Sequence, residues 1–236
     1  MKLQAPIKGI FFDIGWTLLH PVTDWLINKK FMECVDMNVY SNIDSDRRED
    51  AFSKGLKYLD DMHLKTVMTE EEQLKQFETF YSMLADDLSE LELSEEQINA
   101  IAYSEVYDMN NYSLFDDTIS TLESLKDKYK LGVISDTWPS VERQLKTNNI
   151  YDYFETKTFS CYLGTWKPNK PMYIHALDQM KLPPEQTIFI DDGIENLEGA
   201  EAFGIQPILI TSKPNPETTD KYPMINKISD LLVLLS

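Results

Sequence analysis

The chain has 236 residues, 42% of them apolar, and a formal net charge of −18. Its length suits one large domain or a core with an inserted smaller one, and its apolar share is enough for an ordinary core. The charge argues against nucleic acid and against an anionic membrane surface as partners, since both are bound by basic faces. It leaves room for a small phosphorylated ligand, which needs only a local positive site, and a metal ion can supply the largest charge there.

Cys34 and Cys161 form no C-x-x-C pair and no zinc pattern, so they read as two reduced thiols. The start, MKLQAPIKGIFFDIG, lacks the long apolar stretch of a signal peptide, and no apolar run approaches membrane-spanning length. The cytoplasm is the expected compartment, with the chain a monomer or homodimer.

Taken in chain order, Ile7–Phe12 reads as the first strand. Residues 21–112 then carry four apolar stripes at helical spacing and no convincing strand. The stripes are Ile27, Phe31, Cys34 and Val35; Phe52, Leu56 and Leu59; Leu74, Phe77, Tyr81 and Leu84; and Ile98, Ile101 and Ala102. Thr69-Glu-Glu-Glu72 and Ser94-Glu-Glu-Gln97 match capping boxes, in which side chains satisfy free amides at a helix start. A helical module is therefore expected as an insertion. Beyond it, helices predicted on the Ile119–Tyr129, Val141–Leu145, Ile174–Met180, Leu197–Phe203 and Ile228–Leu235 patterns accompany four more strands: Leu131–Ile134, Thr156–Ser160, Thr187–Ile190 and Pro207–Ile210. Strand–helix alternation of this kind predicts an α/β doubly wound parallel sheet. The expected division is 1–20 with 113–236 as the α/β core, and 21–112 as an all-α cap.

Such sheets bind ligands at the carboxyl ends of their strands. There the sequence offers Asp13 (FFDIGWTLL), Ser135 and Asp136 (GVISDTW), Lys167 (GTWKPNKP), and Asp191 and Asp192 (FIDDGIEN). Clustered carboxylates repel each other unless a cation joins them, and hard oxygen ligands suit Mg²⁺. A lysine and a hydroxyl can hold charge that develops on a transferring phosphoryl group. An aspartate nucleophile splits the transfer into two steps. Taken singly, each residue has a plainer reading. Asp191, Asp192 and Ser135 could be helix caps, and Lys167 a solvated charge. His20, His63 and His175 read as packing or surface residues without metal spacing.

Asp13 with Thr17, Ser135, Lys167, and Asp191-Asp192 with Asn196, followed by Gly199-Ala200 and Gly204, occur in the order and places of the four motifs of the haloacid dehalogenase (HAD) superfamily. The chain resembles its subgroup with a helical cap inserted after the first strand. The resemblance implies Asp13 as nucleophile and Mg²⁺ ligand, with the Gly15 carbonyl, Asp191 and Asp192 completing the metal site. It implies Thr17, Ser135, Asp136 and Lys167 as phosphate contacts, Ser135 and Lys167 as catalytic groups, and Asn196 as an orienter behind them.

One position departs from the family. The phosphatase motif is usually Asp-x-Asp-Gly-Thr, and here Gly15 stands where the second, acid/base aspartate belongs. Such proton transfer is worth ~10²–10⁴-fold in rate. Either another residue substitutes (His20 and Asp24 are nearest), or the leaving group is good, or turnover is weak. The expected function is a Mg²⁺-dependent phosphatase of a small phosphorylated metabolite. The alternatives are a metal-independent haloacid dehalogenase, a phosphomutase and a non-catalytic binding protein. Trp16, Trp138 and Trp166 lie in or near the motifs, and read either as packing or as an aromatic wall for a leaving group.

Overall fold

The computed structural model describes residues 3, 6–63, 65 and 67–236. Residues 1, 2, 4 and 5, part of the segment read for a leader, lie outside the described residues. The chain divides into two compact units. One contains the described parts of Met1–His20, Leu114–Thr137 and Leu145–Ser236; the other contains Pro21–Ser113 and Trp138–Gln144.

In chain order, β1 (Gly9–Phe12) is followed by β2 (Leu19–Pro21), at whose end the chain enters the second unit. There come α1 (Lys29–Cys34), α2 (Met37–Asn42), α3 (Ser45–His63), α4 (Glu70–Asp87) and α5 (Glu95–Tyr107). Both expected capping boxes form: Thr69 and Ser94 each accept from an amide three residues on, and Glu72 and Gln97 reach back to the cap amides. The core of this unit is aromatic, with Phe31, Phe77, Phe80 and Tyr81 packed together. Phe80 lies so close to α3 that a Cβ on Gly55 would come within 2.6 Å of its ring, so α3 approaches α4 through a glycine. The inward face of α3 is Ala51, Gly55, Leu59 and His63. Leu56, expected to face inward, is 42% exposed.

The return strand β3 (Tyr112–Leu114) pairs with β2. These short strands meet the segment read as helical only at its end residues, Pro21 and Tyr112. Then come α6 (Thr118–Leu125), β4 (Lys130–Ser135), α7 (Val141–Thr147), β5 (Thr156–Phe159), α8 (Ser160–Leu163), α9 (Lys170–Met180), β6 (Thr187–Asp191), α10 (Ile194–Glu201), β7 (Gln206–Ile210), β8 (Met224–Ile225) and α11 (Leu231–Leu234). The main sheet has six strands in the order β5-β4-β1-β6-β7-β8, parallel at every pairing. β1 and β6 are buried at every residue, which is why they read as unbroken apolar runs rather than as alternations. Gly204 closes the α10 turn at φ 84°, a left-handed position that suits glycine.

The first seven residues after Thr137 behave differently from the expected division. Ser140 donates its N–H to Gln73 Oε1 at 2.9 Å, and Gln73 Nε2 donates to Ser140 Oγ at 2.9 Å, with both residues buried. Arg143 clasps the carboxylate of Glu70 through Nε and a guanidinium nitrogen. These paired contacts to α4 group residues 138–144 with the helices, whereas the apolar pattern had put them in the α/β part.

Candidate active site

Parallel strands bring the residues that follow them to one edge of the sheet. In the register, Phe12 lies beside Val133 on one side and Ile190 on the other. Asp13 therefore emerges between the ends of β4 and β6, and its N–H donates to Ile190 O at 2.9 Å. Asp13 is 6% exposed and Asp191 is fully buried. Buried carboxylates need a compensating charge, and Lys167 provides it. Its Nζ donates to Asp13 Oδ1 and to Asp191 Oδ2, both at 2.7 Å. Its backbone N–H donates to Asp136 Oδ1 at 2.9 Å. Carboxylates at the ends of β1, β4 and β6 thus converge on one buried lysine, and Ser135, also buried, ends β4 at the same edge.

Asp191 is held on its other side too. Its Oδ1 accepts from the Gly193 N–H at 2.8 Å and from Asn196 Nδ2 at 3.0 Å. Asp192 points elsewhere, and Lys213 Nζ meets its Oδ2 at 2.9 Å. The two neighbouring aspartates therefore have different surroundings: one is a fully engaged counter-ion of Lys167, the other a partly exposed carboxylate with a different lysine.

Burial pushes the Asp13 carboxyl above its ordinary range. Lys167 pulls it down, while Asp191 and Asp192 push it further up. Burial would strip the proton from Lys167, but Asp13, Asp191 and Asp136 more than offset this and hold it well above its ordinary value. Asp192 is raised by burial and by Asp191, against the pull of Lys213. Asp13, Asp191 and Asp192 thus share two ammonium groups, and Asp136 accepts the backbone N–H of Lys167 beside them.

The other expected site residues take the following places. No group of three His, Cys, Asp or Glu side chains among the described residues is gathered as a metal cage. Of the expected set, Asp13 and Asp191 lie on Lys167, and Asp192 lies on Lys213. Thr17, expected at the phosphate, is fully buried, and its hydroxyl has no hydrogen-bond partner among the described residues. Gly15 sits in a turn bridged to Leu19 and does not have a positive φ. The His20 ring stacks on Trp16 with centroids 6.0 Å apart and also meets Phe115, while Asp24 belongs to the helical unit and accepts from the Trp25 N–H. Trp138 also belongs to the helical unit, where it packs edge-on to Phe77 and His63, so the three tryptophans are not one cluster within a unit. His63 and His175 are packing residues. Burial lowers His63 to about 4, and His175 lies between Thr158 and Gln179. Cys34 and Cys161 form no disulfide, and Cys161 is buried.

Sequence reasoning missed Lys213. The signal was available, because Lys213 follows β7 just as Asp191 ends β6, and the end of that strand was not read for chemistry.

Comparison with known proteins gives this geometry its context. The family model of the haloacid dehalogenase-like hydrolases matches residues 7–204. A glyceraldehyde 3-phosphate phosphatase from Methanothermobacter thermautotrophicus is 34% identical over 103 residues, 42% of this chain and 45% of the relative. An (S)-2-haloacid dehalogenase 4A from Burkholderia cepacia is 26% identical over 129 residues, 52% of this chain and 56% of the relative. The chain thus spans about half the length of these two relatives. A HAD phosphatase from Thermococcus onnurineus superposes with a TM-score of 0.64 at 22% identity, covering 98% of both chains, and so shares the fold. No helix among the described residues is long and apolar enough to cross a membrane. With a family match over most of its length and a lysine-bridged aspartate pair at the carboxyl edge of a parallel sheet, the chain belongs to the haloacid dehalogenase-like hydrolases.

Proposed function

We propose that the protein is a Mg²⁺-dependent phosphatase acting on a small phosphorylated metabolite, with Asp13 as nucleophile. The observation that carries this reading is the charge imbalance at the sheet edge: four carboxylates, Asp13 among them, lie with only two lysines. A divalent cation held by hard oxygen donors fits that deficit. Asp13 and Asp192 would hold it, with the Gly15 carbonyl beside them, while Asp191 serves as the anchor of Lys167. When bound, the metal would shield the anionic phosphate from the attacking carboxylate.

The remaining work falls to this chain's own groups. Lys167 orients Asp13 through Oδ1, which leaves Oδ2 as the attacking atom. Attack on phosphorus forms the Asp13–phosphate bond as the bond to the leaving oxygen breaks. Lys167 and Ser135 stabilise the charge on the transferring oxygens. Water then attacks the aspartyl-phosphate and releases inorganic phosphate. Gly15 offers no proton to the leaving oxygen, which favours acyl or aryl phosphates and other good leaving groups. His20, the candidate close to Asp13 in sequence, lies in the same unit and stacks on Trp16.

The test is a phosphometabolite panel with Mg²⁺. Asp13→Asn is expected to abolish turnover, and residual wild-type-like rates would remove Asp13 from its role. Gly15→Asp is expected to raise turnover on poor leaving groups by ~10²-fold, the low end of what acid–base help supplies. The residue is free of positive-φ strain, so the backbone accepts the change. The dehalogenase reading has its own motive in the Burkholderia cepacia relative. Activity on 2-haloacids that survives EDTA would establish it in place of the phosphatase.

A further inference from the structure

The segment after β7 is fastened to the site at three points. Ser212 Oγ donates to the Trp16 carbonyl, in the loop that follows Asp13. Lys213 Nζ lies 2.9 Å from Asp192 Oδ2 and 3.6 Å from Glu217 Oε1. The other oxygen of Glu217, Oε2, accepts the Ile194 N–H at 3.2 Å, at the start of α10. The Lys213 and Asp192 side chains are only 22% and 16% exposed. Lys213 thus stands between two carboxylates: one belongs to the site, and the other is tied by its backbone partner to the helix that follows Asp191-Asp192.

We propose that Lys213 is a built-in counter-ion of Asp192 that competes with a divalent cation and passes to Glu217 when the cation binds. The inference rests on the metal reading of the proposed function. An ammonium at 2.9 Å neutralises the carboxylate that the cation needs, so the two positive charges exclude each other there. Without Lys213, the metal-free site would leave Asp192 without its ammonium partner beside Asp191. Without Glu217, displacing Lys213 would leave its ammonium unpaired. The Lys213–Glu217 separation of 3.6 Å lets the lysine change partners with little movement. Cation binding therefore becomes an exchange of partners rather than a bare addition of charge. Lys213 is a positioning residue, and Glu217 acts through it.

The test is calorimetric titration of the full chain with MgCl₂ alone, supported by Tm with Mg²⁺ and with EDTA. Lys213→Met is expected to lower the Mg²⁺ Kd by about tenfold, a modest Coulomb effect for a partly exposed pair. It should also lower the Tm in EDTA, where Asp192 loses its partner. Glu217→Gln is expected to raise the Kd several-fold. The double variant should behave as Lys213→Met does, because Glu217 has nothing to act on once the lysine is gone. Lys213→Gln replaces the first variant if the methionine protein does not fold. A weaker or unchanged Mg²⁺ affinity on loss of Lys213 overturns the proposal while leaving the metal site standing. A Glu217→Gln effect that persists in the Lys213→Met background also overturns it. Absence of Mg²⁺ binding in the wild type and every variant overturns the metal reading, and this inference with it. If loss of Lys213 instead weakens binding of inorganic phosphate at constant Mg²⁺ affinity, the lysine is an anion contact and the proposal falls.

Discussion

Each unit of the protein buries carboxyl groups, but they are satisfied in different ways. In the α/β unit, Asp13 and Asp191 share the Lys167 ammonium at 2.7 Å each. In the helical unit, Glu105 is 5% exposed and meets only neutral donors: Asn28 Nδ2 at 2.9 Å and the Tyr112 hydroxyl at 2.8 Å. The first arrangement sets a cation between buried carboxyls, and Lys167 pulls Asp13 down against burial and against Asp191 and Asp192. The second raises Glu105 to about 7, because burial outweighs its hydrogen bonds from Asn28, Tyr112 and Tyr81. Asn28 also caps α1 through Phe31 N–H and donates to the Ile101 carbonyl. Glu105 thus joins the segment that enters the helical unit to the strand that leaves it. A cation partners the carboxylates at the sheet edge, and neutral donors partner the one in the helical unit.

Removing the cation gives the largest effect. Lys167→Met leaves Asp13 and Asp191 buried without a partner, at a cost of roughly 3–5 kcal/mol typical of a broken buried pair. It should also remove turnover. Chemical denaturation and a phosphatase assay check the two halves. A stable, active methionine variant would mean that the aspartates are protonated and the lysine is dispensable.

The neutral network predicts an effect of opposite sign. A carboxyl whose folded pKa is raised contributes stability that is complete below its unfolded pKa and lost as pH rises through the folded one. For Glu105 that window runs from its ordinary 4.5 to about 7. Glutamine cannot ionise, and the Tyr112 hydroxyl can turn from donor to acceptor to suit it. Glu105→Gln should therefore match the wild type at pH 4 and exceed it at pH 8 by about 3 kcal/mol. A Tm difference that does not change between those pH values would show that Glu105 stays charged, and the contrast between the units would fail.

The smallest effect concerns local structure alone. Thr69→Ala removes the α4 capping box and should cost about 1 kcal/mol with no change in kcat. A loss of activity alongside it would show that the start of α4, which carries Glu70 and Gln73 to Arg143 and Ser140, bears on the chemistry.

The expected strands and helices were legible because burial on both faces writes unbroken apolar runs, and caps write short polar signatures. The strands at Leu131, Thr156, Thr187 and Pro207 all lie in or overlap β4 to β7. Facing was less legible. Leu56, Ile119, Ile174 and Leu232 all fit an apolar stripe, yet each is 37–47% exposed. On α3 and α6, Gly55, Thr118 and Thr121 are among the inner residues, and at Gly55 the Phe80 ring comes close. The strands β2 and β3 escaped notice because three residues are too few to show a period.

The sequence by itself determined the sheet order's raw material and the chemical types at its edge: an aspartate after β1, a serine ending β4, a lysine before α9 and two aspartates at the end of β6. Strand period, helix caps and turn chemistry are local properties, so a local reading recovers them. Only the tertiary structure decided which charges meet. It gave Lys167 to Asp13 and Asp191 across 154 and 24 positions of chain, and left Asp192 to Lys213. It also drew residues 138–144 to α4. Such pairings depend on which strand ends lie side by side, and electrostatic partners chosen through space leave no period in the sequence.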